Sequence, residues 1–127
     1  MTQPILQNKH KNTTVDEIDF TINNILKEFG LSEKNNKVLF NRVVGLQIRK
    51  LRIMKSNEFF TMTQSRISEM LNVSFQQVQK YERGLNTVSL DNLKLLSEKT
   101  NTDLDFFWSP ITTKGLTIKI TKGNNAN

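Results

Sequence analysis

Residues 63–84 read TQSRISEMLNVSFQQVQKYERG, and this stretch decides the fold. Two short helices are predicted, Gln64–Leu71 and Phe75–Arg83, meeting at Asn72-Val73-Ser74. Thr63 and Ser74 stand where a side-chain oxygen is wanted to accept a bond from a free amide of the first helical turn. Ser74-Phe75-Gln76-Gln77 is a capping box with Gln in place of Glu. The tight turn between the helices needs a residue that tolerates the left-handed region, and Asn72 is the best suited after glycine. Ile67, Leu71, Val73, Val78 and Tyr81 supply apolar contacts that lock the interhelical angle. Ser68 is small where the two helices approach.

The second helix has two faces. Val78 and Tyr81 point inward, whereas Phe75, Gln76, Gln79, Lys80 and Arg83 share the opposite side at i, i+1, i+4, i+5 and i+8. That side has no carboxylate. Glutamine can bond adenine N6 and N7 together, lysine can reach guanine or a phosphate, and phenylalanine can meet a thymine methyl. An ordinary solvated helix face would need no such chemistry. The charge of the chain points the same way. Its formal net charge is +6, and residues 37–88 carry nine Lys/Arg against three Glu, while the flanks are nearly neutral. Basic charge concentrated on one segment favours a polyanion, because phosphate neutralisation releases condensed counterions.

Upstream of the motif, a helix is expected over about Lys37–Lys55, with Phe40, Val44, Ile48 and Leu51 inward and Arg42, Arg49, Lys50, Arg52 and Lys55 largely elsewhere. Ser56–Met62 connects it to the motif. Further upstream, Thr14-Val15-Asp16-Glu17 is a capping box. Val15, Ile18, Ile22, Ile25, Leu26 and Phe29 follow at helical spacing, and Gly30 is a natural stop. The apolar stripe of this helix must be buried against its own domain or against a second subunit. Residues 1–14 have no periodicity and read as a tail, in which His10, the one histidine, is solvated. Downstream, Ser89 caps a helix over Leu90–Thr100, and a short apolar turn, Leu104–Trp108, stops before Pro110. Residues 115–123 alternate with Leu116, Ile118 and Ile120 on one face, a strand signal over 115–122. A lone strand needs a partner: its copy in a dimer or the Phe59–Met62 stretch, disorder being the alternative.

Several features together resemble the Cro/cI-type helix-turn-helix, the xenobiotic response element family of bacterial and phage regulators. They are Gln64, the small Ser68, the turn before Ser74, and Val78 followed by Tyr81-Glu82-Arg83-Gly84. The resemblance covers about Val44–Trp108, including Ile48-Arg49-Lys50-Leu51-Arg52 and Ser89-Leu90 with Leu93. It implies an all-α fold: a five-helix lambda-repressor-like DNA-binding domain, here with an extra N-terminal helix and a short strand-like C-terminal tail. The expected organisation is a tail at 1–14, the N-terminal helix and connection at 15–36, the DNA-binding domain at 37–109 and a tail at 110–127. The resemblance further implies that the second helix lies in the major groove. Gln64 would bond a phosphate or an edge base, Phe75, Gln76 and Lys80 would face base edges, Gln79 would sit beside them, and Ser74 and Arg83 complete the DNA-binding set. Arg52 and Glu82 match a partly buried ion pair joining the first helix to the recognition helix. The chain departs from the family at Ser68 for alanine, at Asn72 for glycine and in its longer 56–62 connection, which could add a DNA or subunit contact.

The function expected is sequence-specific transcription regulation through double-stranded DNA, as a repressor on a palindromic operator. Dimers reading two half-sites about 34 Å apart overcome the few contacts of a single motif. Candidate dimer surfaces are Phe106, Phe107 and Trp108, the 15–29 stripe, and the strand with Ile118. The alternative is an antitoxin that binds a protein toxin and regulates its own promoter; a protein-interaction module without DNA contact fits the basic, amide-rich face poorly. No catalytic residues, cofactor or metal site are expected, since there is no phosphate loop, no His/carboxylate ligand set and no nucleophile beside a base. The chain has no cysteine, which fits a cytoplasmic, reducing setting. No apolar run approaches the ~18 residues of a membrane span.

Overall fold

The computed structural model describes residues 13–29 and 36–111. All the regular structure in these residues is helical: α1 (Val15–Phe29), α2 (Asn36–Met54), α3 (Gln64–Leu71), α4 (Phe75–Glu82), α5 (Leu90–Thr100) and a 3-10 turn at Leu104–Phe107. Gly30 and the strand expected at 115–122, with Ile118, lie outside the described residues.

Local sequence sets the boundaries. Thr14, Thr63, Ser74 and Ser89 each accept a bond from the backbone N–H three residues on, at 3.0–3.1 Å. Each cap satisfies an amide that the helix cannot. At the other end of α3, Asn72 takes φ 54° and ψ 46°, the left-handed conformation expected of it. The Asn72 N–H then bonds Glu69 O, and the Val73 N–H bonds Ser68 O at 3.0 Å, so the chain reverses with its last carbonyls satisfied. Asn101 ends α5 in the same way.

Helix α2 is the central element, and it is covered on both sides. Val44, Ile48 and Leu51 join the main core with Ile67, Leu71, Val78, Tyr81, Leu93, Leu96 and Phe107. Leu39 and Val43 face the other way, into a second cluster with Ile18, Ile22, Ile25 and Leu26 of α1. The stripe on α1 is therefore buried against its own chain, and α1 adds a layer outside the helix-turn-helix. Burial is worth ~1.5–3 kcal/mol per large apolar side chain, so four such residues are enough to hold a four-turn helix in place. Phe40, expected inward, is half-buried and stacks on Trp108 with ring centroids 6.4 Å apart.

The aromatic run near the end of the domain is inward too. Gln47, itself buried, donates from Nε2 to Phe106 O at 2.7 Å and ties the 3-10 turn to α2. Phe107 is fully buried in the main core. This corrects its place among the candidate dimerisation residues: a side chain without exposed surface cannot meet a second subunit. Phe106 and Trp108 are half-buried against the same core.

The 55–62 connection is built rather than slack. Asn57 Oδ1 accepts from the Phe59 and Phe60 amides at 2.8 and 2.9 Å, while the Asn57 amide donates to Phe60 O. Ser56 Oγ donates to Arg52 O and accepts from the Met62 amide. Buried Met62 anchors the loop, and the Arg66 guanidinium lies 4.5 Å over the Phe60 ring.

Candidate nucleic-acid interface

Helix α4 places its polar side chains through its inward ones. Val78, Tyr81 and Glu82 are buried, and an ideal ~100° per residue then turns the expected residues toward solvent. Gln76, Lys80 and Arg83 are exposed, Phe75 is 41% exposed, and Gln79 is half-buried. Two rows result. Phe75, Gln79 and Arg83 form one edge, at i, i+4 and i+8, while Gln76 and Lys80 form the other. No carboxylate interrupts either row. Ser74 is exposed, with its oxygen accepting from Gln77 N, and its hydroxyl proton remains a donor for an anion.

The first row borders a groove. Its other wall comes from Thr61, Thr63, Gln64 and Ser65 around the start of α3, and its floor from Arg49, Arg52 and Glu82. Three of these residues were not singled out as contacts from the sequence. Thr61 and Ser65 are hydroxyls beside an N-cap, and Thr63 was read as the cap alone. The available signal was position: the residues flanking an N-cap necessarily lie at a helix end.

Arg52 and Glu82 form the expected ion pair. Arg52 Nε donates to Glu82 Oε2 at 2.6 Å and Nη2 donates to Oε1 at 2.7 Å. The Glu82 side chain is 5% exposed and that of Arg52 20%. Such a two-point pair fixes direction as well as distance, and here it joins α2 to the end of α4. Gln64 enters the same network, for its Nε2 donates to Glu82 Oε1 at 3.0 Å. Its side chain thus already braces the ion pair from the wall of the groove.

The basic residues of α2 divide by partner. Lys50 Nζ donates to Asp19 Oδ1 of α1 at 2.8 Å, turning it toward α1. Arg49 lines the groove while donating from Nη2 to Thr13 Oγ1 at 2.9 Å. A second determinant escaped the sequence reading. A Cβ on Gly45 of α2 would stand 2.3 Å from Tyr81 O and 2.7 Å from Glu82 O. Helix α4 therefore rests backbone to backbone on α2, and only glycine permits that approach. A glycine inside a helical pattern was the available signal.

Comparison with known proteins supports the motif. Residues 60–107 match a helix-turn-helix family model. A protein of Sinorhizobium medicae described as an uncharacterised HTH-type transcriptional regulator is 38% identical over 65 residues, covering 51% of this chain and 43% of that protein. A similarly described protein of Rickettsia conorii is 31% identical over 65 residues, covering 51% and 48%. An uncharacterised transcriptional regulator in the ATPase CF(0) region of Rhodospirillum rubrum is 32% identical over 68 residues, covering 54% and 58%. The chain spans about half the length of the curated relatives it matches. No solved structure matches it significantly. The likeness to known proteins is thus to the helix-turn-helix family and lies in residues 60–107.

Proposed function

We propose that this chain is a sequence-specific DNA-binding transcription regulator and that it acts as a repressor, binding a palindromic operator as a homodimer. The observation that carries this reading is the acid-free outer side of α4, where Gln76, Gln79, Lys80 and Arg83 project beside a groove containing Arg49. An α-helix of this width enters the major groove, where each base pair presents a distinct pattern of donors and acceptors. In this reading Gln76 and Gln79 bond base edges, Phe75 meets a thymine methyl, and Lys80 takes a guanine or a phosphate. Arg83, Ser74 and the hydroxyls of Thr61, Thr63 and Ser65 hold the backbone. Gln64 acts mainly by bracing Glu82, since its amide is already engaged there.

An apolar groove formed by Phe40, Val88, Leu90, Leu93 and Trp108 supports the dimer. Leu90 and nearby Leu85 are exposed, and a second copy would cover them. Two copies reading half-sites about one helical turn apart match the symmetry of a palindrome. Repression then needs only occupancy of the operator.

Gln76→Ala tests the base-reading role. It is expected to weaken binding to the preferred site by about 1–3 kcal/mol and to relax the preference at one position of each half-site. Competition between duplexes that differ at single positions measures both. A uniform loss on every sequence would make Gln76 a backbone contact instead.

A further inference from the structure

We infer that Phe59, at the tip of the connection between α2 and α3, is an apolar wedge that enters the minor groove beside each half-site and kinks the duplex there. The inference rests on the DNA-binding reading above and deepens it, by adding a contact outside the major groove. Phe59 is 90% exposed, more than any other large apolar side chain among the described residues. The loop holds it out rather than letting it fold inward. Asn57 Oδ1 accepts from the Phe59 amide at 2.8 Å, and the Asn57 amide donates to Phe60 O at 2.8 Å. Phe60 packs against the main core with the Arg66 guanidinium over its ring, and Met62 is buried. Ser56 Oγ closes the base of the loop between Arg52 O and the Met62 amide. A backbone ordered in advance loses little freedom on binding.

Position decides what Phe59 meets. Thr61, Thr63 and Ser65 belong to the wall of the α4 groove, and in the proposed docking their hydroxyls hold the phosphate strand that borders the major groove. That strand has the minor groove on its other side. Phe59 precedes Thr61 by two residues, so its backbone lies within about 7 Å of the wall. Neither Phe59 nor Phe60 lines the α4 groove itself, which leaves the loop tip outside the wall. Phenylalanine inserted between base steps from the minor groove unstacks them and kinks the duplex by ~20–90°. Pyrimidine–purine steps yield most easily. The charges around the tip nearly balance. Glu58 is exposed and opposes phosphates, while Lys55 is half-buried and Arg66 exposed. The gain of a wedge comes instead from taking an exposed ring out of water.

The experiment measures the bend of duplexes bound by the full chain, from energy transfer between dyes at the duplex ends. The duplexes carry the sequence that the chain enriches from a random pool, with TpA or ApA as the step flanking each half-site. The unaltered chain is expected to bend the TpA duplex by at least ~20° and to bind it more tightly than the ApA duplex. Phe59→Ala is expected to abolish the bend and the step preference. It should weaken binding only about three- to tenfold, because the cost of unstacking offsets much of the gain from burying the ring. Phe59→Leu is expected to keep the bend, since leucine also serves as a wedge. Phe20→Ala removes an exposed ring from α1 and is expected to change neither bend nor affinity. The inference is overturned if the unaltered chain leaves the duplex straight, if Phe59→Ala keeps the bend, or if Phe20→Ala loses it equally. A changed sedimentation of Phe59→Ala with the bend intact would make the ring a subunit contact, which also overturns it. Failure of the unaltered chain to bind any duplex would overturn the DNA-binding reading itself, and this inference with it.

Discussion

Glu82→Ala is expected to destabilise the domain by about 3–5 kcal/mol, measured by chemical denaturation. The carboxylate is nearly fully buried and takes three donors, two from Arg52 and one from Gln64. Removing it leaves a guanidinium largely enclosed and an amide without its acceptor. Natural domains are stable by only ~5–15 kcal/mol in total, so this one side chain decides much of whether the domain stays folded. The effect belongs to the orphaned charge more than to the pair. Replacing both partners by apolar residues, as in Arg52→Met/Glu82→Leu, is therefore expected to be milder than Glu82→Ala alone. A Glu82→Ala loss below about 1 kcal/mol, the level of an exposed pair, would mean that the network is solvated and holds nothing in place.

Gly45→Ala is expected to cost about 3 kcal/mol or more, at the upper end of overpacking effects. Two terms oppose each other. Alanine inside a helix is favoured over glycine by ~0.8–1.0 kcal/mol. The added methyl, however, would meet two carbonyl oxygens of α4, one of them at 2.3 Å, and backbone cannot rotate away as a side chain would. Relief requires α2 and α4 to separate, which also strains the Arg52–Glu82 pair. On the proposed function, the variant should therefore lose DNA affinity even where it remains folded, because α4 is displaced from its support. A stabilised Gly45→Ala protein would show that the helices are further apart than described.

The helix-turn-helix was legible because short-range rules govern it. Caps at Thr63, Ser74 and Ser89 and the left-handed Asn72 depend on neighbours a few residues away. The two faces of α4 follow from which of its residues are apolar. The ion pair between Arg52 and Glu82 was legible only through the family resemblance, since no local rule joins residues 30 apart. What escaped has a common cause: periodicity finds a face but not what covers it. Two faces of α2 are apolar because α1 covers one and the motif covers the other, so a single stripe through Phe40, Val44, Ile48 and Leu51 described half of it. The stripe on α1 was plain, but its partner was not. Gln64 reads from the sequence as a DNA contact, and no local rule gives its bond to Glu82, a carboxylate 18 positions away. Phe107, similarly, could be core or interface by composition, and its burial decided for core.

Selection of bound duplexes from a random pool tests the central claim most directly. The account predicts enrichment of one sequence as an inverted repeat, with half-site centres about one helical turn apart. It also predicts that enrichment at one position of each half-site disappears for Gln76→Ala. A pool that remains unenriched, or an enriched sequence that Gln76→Ala leaves unchanged at every position, would contradict the account of α4 as the element that reads the bases.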